Sequence, residues 1–144
     1  MKIEFSPIGI IHSPFSELEG MPIQPAGALD VPGTVEVFDE FRAGLDDLDG
    51  FSHVVLLYHL HHSRGFDLRV VPFLDTRPRG LFATRAPRRP NAIGLLDILD
   101  GTPLLDIKPY VPEFHVRADV RVGWLEKVKG EVSKSKADRR FDDG

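Results

Sequence analysis

Three arginines stand within five positions of one another in Leu81 to Leu95, LFATRAPRRPNAIGL. Arg85, Arg88 and Arg89 are permanent cations whose planar forks suit phosphate and carboxylate groups. Pro87 and Pro90 stiffen the backbone between them. Asn91 adds an amide that both donates and accepts. Apolar, strand-like sequence flanks both sides. A rigid, basic, donor-rich loop between two strands points to recognition of an anion or a nucleotide.

Three other constellations carry polar chemistry. In SHVVLLYHLHHS (52–63), a strand puts His53, Val55, Leu57, His59 and His61 on one face. His59 and His61 can then be two metal ligands, but no nearby motif offers a third. Imidazoles at a strand end, bonded to backbone or water, are the preferred reading, and no metal is expected. The His61-His62-Ser63 corner suits the wall of a ligand pocket better. Asp100-Gly101-Thr102-Pro103 makes a tight turn with a hydroxyl at its edge, and Asp106, Lys108 and Tyr110 follow on one strand face. That trio is either a structural ion pair or a site orienting a polar ligand, with nothing to choose between them. Pro22-Ile23-Gln24-Pro25 holds a glutamine in extended backbone, where its amide can read a base edge or an amino acid's polar groups.

Several classes are excluded. The chain has no cysteine, so disulfides, thiolate metal sites and cysteine nucleophiles are ruled out. A Ser-His-Asp hydrolase is conceivable from residue types, yet no serine sits in a Gly-x-Ser-x-Gly turn. Neither a P-loop nor Gly-x-Gly-x-x-Gly occurs. The longest apolar run, Val54 to Tyr58, is too short to span a bilayer, and the N-terminus lacks a signal-peptide pattern, so a cytoplasmic protein is expected.

Charge is unevenly placed. The net charge of −4 argues against whole-surface nucleic-acid binding. From Arg64 to Arg89, however, seven arginines face two acids, Asp67 and Asp75, which makes that stretch +5 and the remainder −9. An acidic protein with one basic face can bind RNA locally.

The elements that must position these residues are short. Twelve prolines and thirteen glycines punctuate the 144 residues. Strands are expected over 3–11, 34–38, 51–60, 68–74, 81–84, 92–99, 104–107 and 116–125. One short helix is expected over 39–48, with Phe41 and Leu45 on one face. This pattern predicts an all-β chain, a small closed or nearly closed β-barrel with one short helix. Residues 1–126 form the expected domain, and 127–144 a charged tail.

Taken in order, IGIIHSPF, PIQP, GLDDLDGFSHVVLLYHLH, GLFATRAPRRPNAIGL and DGTPLLDIKPYVP resemble the TsaA-like (TrmO) family over about residues 6 to 114. The resemblance implies an S-adenosylmethionine-dependent tRNA methyltransferase built on a β-barrel. The expected target is N6 of threonylcarbamoyladenosine, just 3′ of the anticodon, and the expected assembly is a homodimer with the cofactor near the subunit interface. It also implies the cofactor contacts: Ile23, Gln24 and Pro25; His61, His62 and Ser63; Arg85; Leu95; and the turn Asp100, Gly101, Thr102, Pro103. Arg85 would hold the methionine carboxylate. Arg88 and Arg89 would hold anticodon-loop phosphates or the threonyl carboxylate, with Lys108 and Tyr110 on the substrate side. Asn91 and Asp106 are the candidate catalytic acceptors for the N6 proton.

Two departures from the pattern stand out. Roughly twenty residues of an expected strand hairpin do not occur between Leu95 and Asp100, so either the hairpin is shortened or the sequence omits a segment. The extra C-terminal domain of longer relatives is absent as well, which is expected to weaken or move tRNA contacts. The competing readings are a non-enzymatic S-adenosylmethionine or nucleotide-binding protein and, resting on the histidines alone, a metal-dependent hydrolase.

Overall fold

The structure, a computed structural model, describes residues 1–17, 19–21, 30–95, 98–112 and 119–128. Its strands are β1 (Gly9–His12), β2 (Thr34–Val37), β3 (Val54–His59), β4 (Arg69–Val70), β5 (Arg79–Gly80), β6 (Ile93–Gly94) and β7 (Thr102–Pro109). Five form one antiparallel sheet in the order β2-β1-β7-β3-β6, and β4 and β5 make a separate ribbon. The alternation in TVEV and the apolar run VVLLYH place β2 and β3 where the sequence predicts them. The β1 strand begins only at Gly9, where an added Cβ would collide with the Glu36 carbonyl of β2.

The sheet is open among the described residues, so the expected closed or nearly closed barrel is not confirmed. Its edges, β2 and β6, do not pair with each other. The reason lies after β6. Strands β6 and β7 flank β3 on opposite sides, both antiparallel to it, so they run parallel to each other. Parallel strands are ordinarily joined by a dozen residues or more. Here only 95–101 make the return, and Ile98 packs onto the Ile11, Val37, Tyr58 and Leu104 core. β6 is only two residues long, and among the described residues no further strand pairs with it.

Three further expectations give way. Leu81–Ala83 is a 3-10 helix rather than a strand. Residues 119–122 are irregular and Gly123–Val128 is a 3-10 helix, where a strand was expected over 116–125. The helix after β2 is a 3-10 turn over Asp39–Leu45 that buries none of its residues. Phe41 and Leu45 are exposed. Two smaller apolar clusters complete the interior. Met21 and Leu99 pack with Phe15 and Leu74, while Val70, Leu81 and Ala86 pack beneath the ribbon; Phe73 touches both.

Candidate functional site

The arginine loop is anchored before it is charged. Leu81 is buried against Val70 and Ala86, so the 3-10 turn Leu81–Ala83 is pinned to the β4–β5 ribbon. The Thr84 hydroxyl donates to the Leu81 carbonyl at 2.8 Å and accepts from the Ala86 amide at 3.3 Å. Arg89 closes the loop: its Nη1 donates to the carbonyls of Leu81, Thr84 and Ala86 at 3.5, 3.1 and 3.3 Å. That nitrogen is committed internally, so Arg89 is first a staple of the loop. Arg88 lies 3.9 Å from Asp67. Arg85 is exposed and makes no hydrogen bond or ion pair to another described residue.

The loop then joins the sheet. The Leu60 amide donates to the Ala92 carbonyl at 2.8 Å, and β6 pairs Gly94 with Tyr58. The Ser63 hydroxyl reaches across to the Pro87 carbonyl at 3.1 Å. A cavity of about 250 Å³ opens between loop and strand end. Leu60, Ile93, Gly94 and Leu95 form its apolar side, and Thr84, Arg85 and Arg89 its polar side. Gly94 is required there, because a Cβ would meet the fully buried Tyr58 ring and Leu60 Cδ2 at 2.9 Å.

The histidine corner and the Asp-Gly turn meet beside this cavity. Strand β3 ends at His59, so His61 and His62 sit in a turn, their rings 4.1 Å apart, and do not continue one strand face. Gly101, at φ +75°, makes the tight turn that brings Thr102 back toward His61. The buried Thr102 hydroxyl donates to the Leu99 carbonyl at 2.7 Å. The same oxygen lies 3.3 Å from His61 Nδ1, which ties the turn to the histidine corner. Burial, then the His62 and His59 charges, hold His61 below the ordinary imidazole pKa of 6.5. Among the described residues no group of three His, Asp or Glu is placed to hold a metal ion.

This depression has a sign. Unfolded His61 takes its proton near 6.5, whereas the folded ring takes it only at lower pH. Its stabilising share is present above that value and lost as pH falls through the folded pKa. The melting temperature is thus expected to drop between about pH 7 and pH 5 more steeply in the wild type than in His61→Gln. Parallel melting curves for the two proteins would show that His61 is not the titrating group.

The remaining candidates separate. Asp100 faces the N-terminal segment: its Oδ1 accepts from the Ser13 amide at 3.2 Å and lies 3.3 Å from His12 Nδ1. Ile23, Gln24 and Pro25 lie outside the described residues; Met21, just before them, is buried against Leu99. Asn91 is exposed beside Ile93, whose amide donates to its carbonyl at 2.8 Å. Asp106 lies four residues along β7 from Thr102, about 13 Å away along the strand. It pairs with Lys108 at 2.8 Å, and Tyr110 meets His53 edge-on further along. The trio does not line the cavity. Asp106→Ala is expected to leave affinity for S-adenosylmethionine within about twofold. A tenfold loss by titration calorimetry would instead place the carboxylate at the cofactor site.

Sequence reasoning missed Leu60, Thr84, Ile93 and Gly94 as wall residues, although all four lie within motifs it singled out. It also missed Trp124, which donates to the Ala83 carbonyl at 2.9 Å beneath the Arg79 guanidinium. Nothing local to GWLEKV signals that contact, which spans 41 positions of sequence.

Comparison with known proteins converges on the same segment. A family model described as the tRNA-methyltransferase O N-terminal domain matches residues 10–96, which include every residue lining the cavity. A probable S-adenosyl-L-methionine-binding protein of Pyrococcus abyssi is 51% identical over 158 aligned positions, covering 98% of this chain and 86% of that one. The alignment is longer than the 144-residue chain, so that relative has residues with no counterpart here. A tRNA (adenine(37)-N6)-methyltransferase of Rattus norvegicus is 33% identical over 75% of this chain and 31% of its own length. The crystal structure of TrmO from Pseudomonas aeruginosa superposes with a TM-score of 0.70 at 38% identity, covering 88% of this chain. The match spans 62% of that solved chain.

Proposed function

The chain belongs to the TrmO family of tRNA methyltransferases, and from that premise we propose that it transfers the methyl group of S-adenosylmethionine to N6 of threonylcarbamoyladenosine in the tRNA anticodon loop. The observation that carries the reading is the cavity between the arginine loop and the end of β3.

Its residues fit the cofactor. Arg85, exposed and uncommitted among the described residues, offers a fork to the methionine carboxylate. Leu60, Ile93 and Leu95 offer apolar surface to the nucleoside, and Gly94 lets it approach the backbone. At about 250 Å³ the cavity is smaller than the roughly 300–1,000 Å³ usual for a ligand of this size, so further residues must complete the site. Gln24 and its neighbours and the Asp100–Pro103 turn are proposed to complete the site. Thr102 acts by holding His61. The lowered pKa of His61 disfavours a second cation beside a sulfonium.

Bound there, S-adenosylmethionine supplies an electrophilic methyl group on a sulfonium. The protein's share is alignment, worth at most about 7–11 kcal/mol when two reactants are held in line. Asn91, on the cavity loop, is proposed to orient the N6 hydrogen, a role that the position and ion pair of Asp106 do not favour. Arg88 is proposed to meet RNA phosphate. An anticodon-loop base is already unpaired, so presenting it costs little. We extend the proposal to a cytoplasmic homodimer, for which the edges of β2 and β6, unpaired among the described residues, are candidate pairing surfaces.

Titration calorimetry with S-adenosylmethionine, followed by label transfer to unmodified and threonylcarbamoylated tRNA, tests the reading. Binding and transfer to the modified tRNA alone are expected. Binding without transfer to either would make the chain a cofactor-binding protein and not an enzyme. Absence of binding at millimolar ligand would remove both readings.

A further inference from the structure

Phe82 is the most exposed aromatic side chain among the described residues, at 77%. Its neighbour Leu81 is 1% exposed. The 3-10 turn that drives Leu81 into the core necessarily turns Phe82 outward. An exposed phenylalanine on a loop otherwise anchored by side-chain hydrogen bonds calls for an occupant.

The surroundings specify one. The Arg89 guanidinium carbon lies over the Phe82 ring, 5.8 Å from its centroid, while the same side chain lines the cavity. One side chain thus separates the ring from the donor site. A cation over one face withdraws π density and leaves the opposite face suited to an electron-rich partner. The loop belongs to the stretch from Arg64 to Arg89, which carries a charge of +5 in a chain of net charge −4. A flat aromatic surface inside local positive charge is the composition of a platform for an unpaired base of a polyanion.

We propose that Phe82 stacks a nucleobase of the RNA substrate, the base flanking the methylated one, and so sets which nucleotide enters the cavity. This rests on the tRNA methyltransferase reading above. Phe82 is a positioning residue in it and takes no part in the transfer.

The test uses the full chain and a threonylcarbamoylated anticodon stem-loop carrying 2-aminopurine next to the target. Stacking quenches that fluorophore, so quenching on binding to the wild type is expected. Phe82→Ala should lose the quench and weaken RNA binding about 10-fold to 100-fold. Phe82→Trp should retain both, and Phe82→Leu should resemble alanine, because an apolar side chain without a π face cannot stack. Affinity for S-adenosylmethionine should be unchanged in all three. The salt dependence of RNA binding should keep its slope, since no phosphate contact is lost. Wild-type behaviour of Phe82→Leu would overturn the stacking assignment. So would a matching loss of cofactor affinity, or conversion of a dimeric wild type to a monomer, which would make Phe82 a subunit contact. If the wild type itself fails to bind the stem-loop, the functional reading falls first, whereas equal binding by wild type and Phe82→Ala removes the stacking proposal alone.

Discussion

Replacing Gly94 with alanine is expected to destabilise the protein by about 2–3 kcal/mol and to abolish measurable cofactor binding. The new methyl group would enter the Tyr58 ring at Cε2 and come within 2.9 Å of Leu60 Cδ2. Leu60 ends in a flexible group and can swing away. Tyr58 cannot, because it is fully buried in the sheet core with Ile11, Val37 and Leu104. Relief therefore requires β6 to lift from β3, against the Tyr58–Gly94 and His59–Ile93 pairs and the Leu60–Ala92 hydrogen bond. Lifting it moves Ile93, Gly94 and Leu95 together, which is most of the apolar side of the cavity. Thermal melts should shift down by roughly 5–10 °C. In a double-mutant cycle, Tyr58→Leu should couple favourably with Gly94→Ala, as the lost ring edge makes room for the methyl group. Purely additive effects would show that the collision is relieved elsewhere.

The second large effect separates two arginines that look alike in sequence. Arg89→Ala is expected to cost about 2–4 kcal/mol, because three loop carbonyls lose a charged donor at once. Cofactor binding should fail with it, through collapse of the loop. Arg89→Lys should rescue little, since an ammonium lacks the planar fork that also covers the Phe82 ring. Arg85→Ala should do the reverse. Stability should stay within about 0.5 kcal/mol, as expected for a side chain without a structural partner. Affinity for S-adenosylmethionine should fall about 10-fold to 100-fold, corresponding to roughly 1.4–2.7 kcal/mol. Melting temperature and calorimetric affinity, measured on both variants, decide the matter. Comparable destabilisation by the two substitutions would mean that Arg85 also has a structural duty.

The contrast shows where local sequence stops being informative. Arg85, Arg88 and Arg89 are chemically identical and stand among the same prolines, so residue type assigns all three to anions. What divides them is the path of the backbone. The 3-10 turn at Leu81–Ala83 brings the Leu81, Thr84 and Ala86 carbonyls around Arg89, Asp67 lies near Arg88, and Arg85 is left outward. The carboxylates divide in the same way. Asp100 and Asp106 both stand in motif-like sequence, yet one secures the Ser13 amide and the other pairs with Lys108 two residues along its own strand. The Asp106–Lys108 pair was already legible as one of two readings, because period-two spacing needs no tertiary information.

By itself the sequence determined the family, the segment that forms the cavity, the strands Thr34–Val37 and Val54–His59, and the tight turn at Asp100-Gly101. Each of these depends on side-chain chemistry, alternation or backbone preference acting within a few residues. Tertiary structure alone decided that the sheet is open among the described residues, that burial lowers the His61 pKa, that Arg89 is a staple and that Phe82 is exposed. Those outcomes depend on contacts between positions far apart in the chain: His61 with Thr102, β6 with β3, and the short return from Gly94 to Thr102. Alternation says which way a residue faces on its strand, but only packing says what it faces.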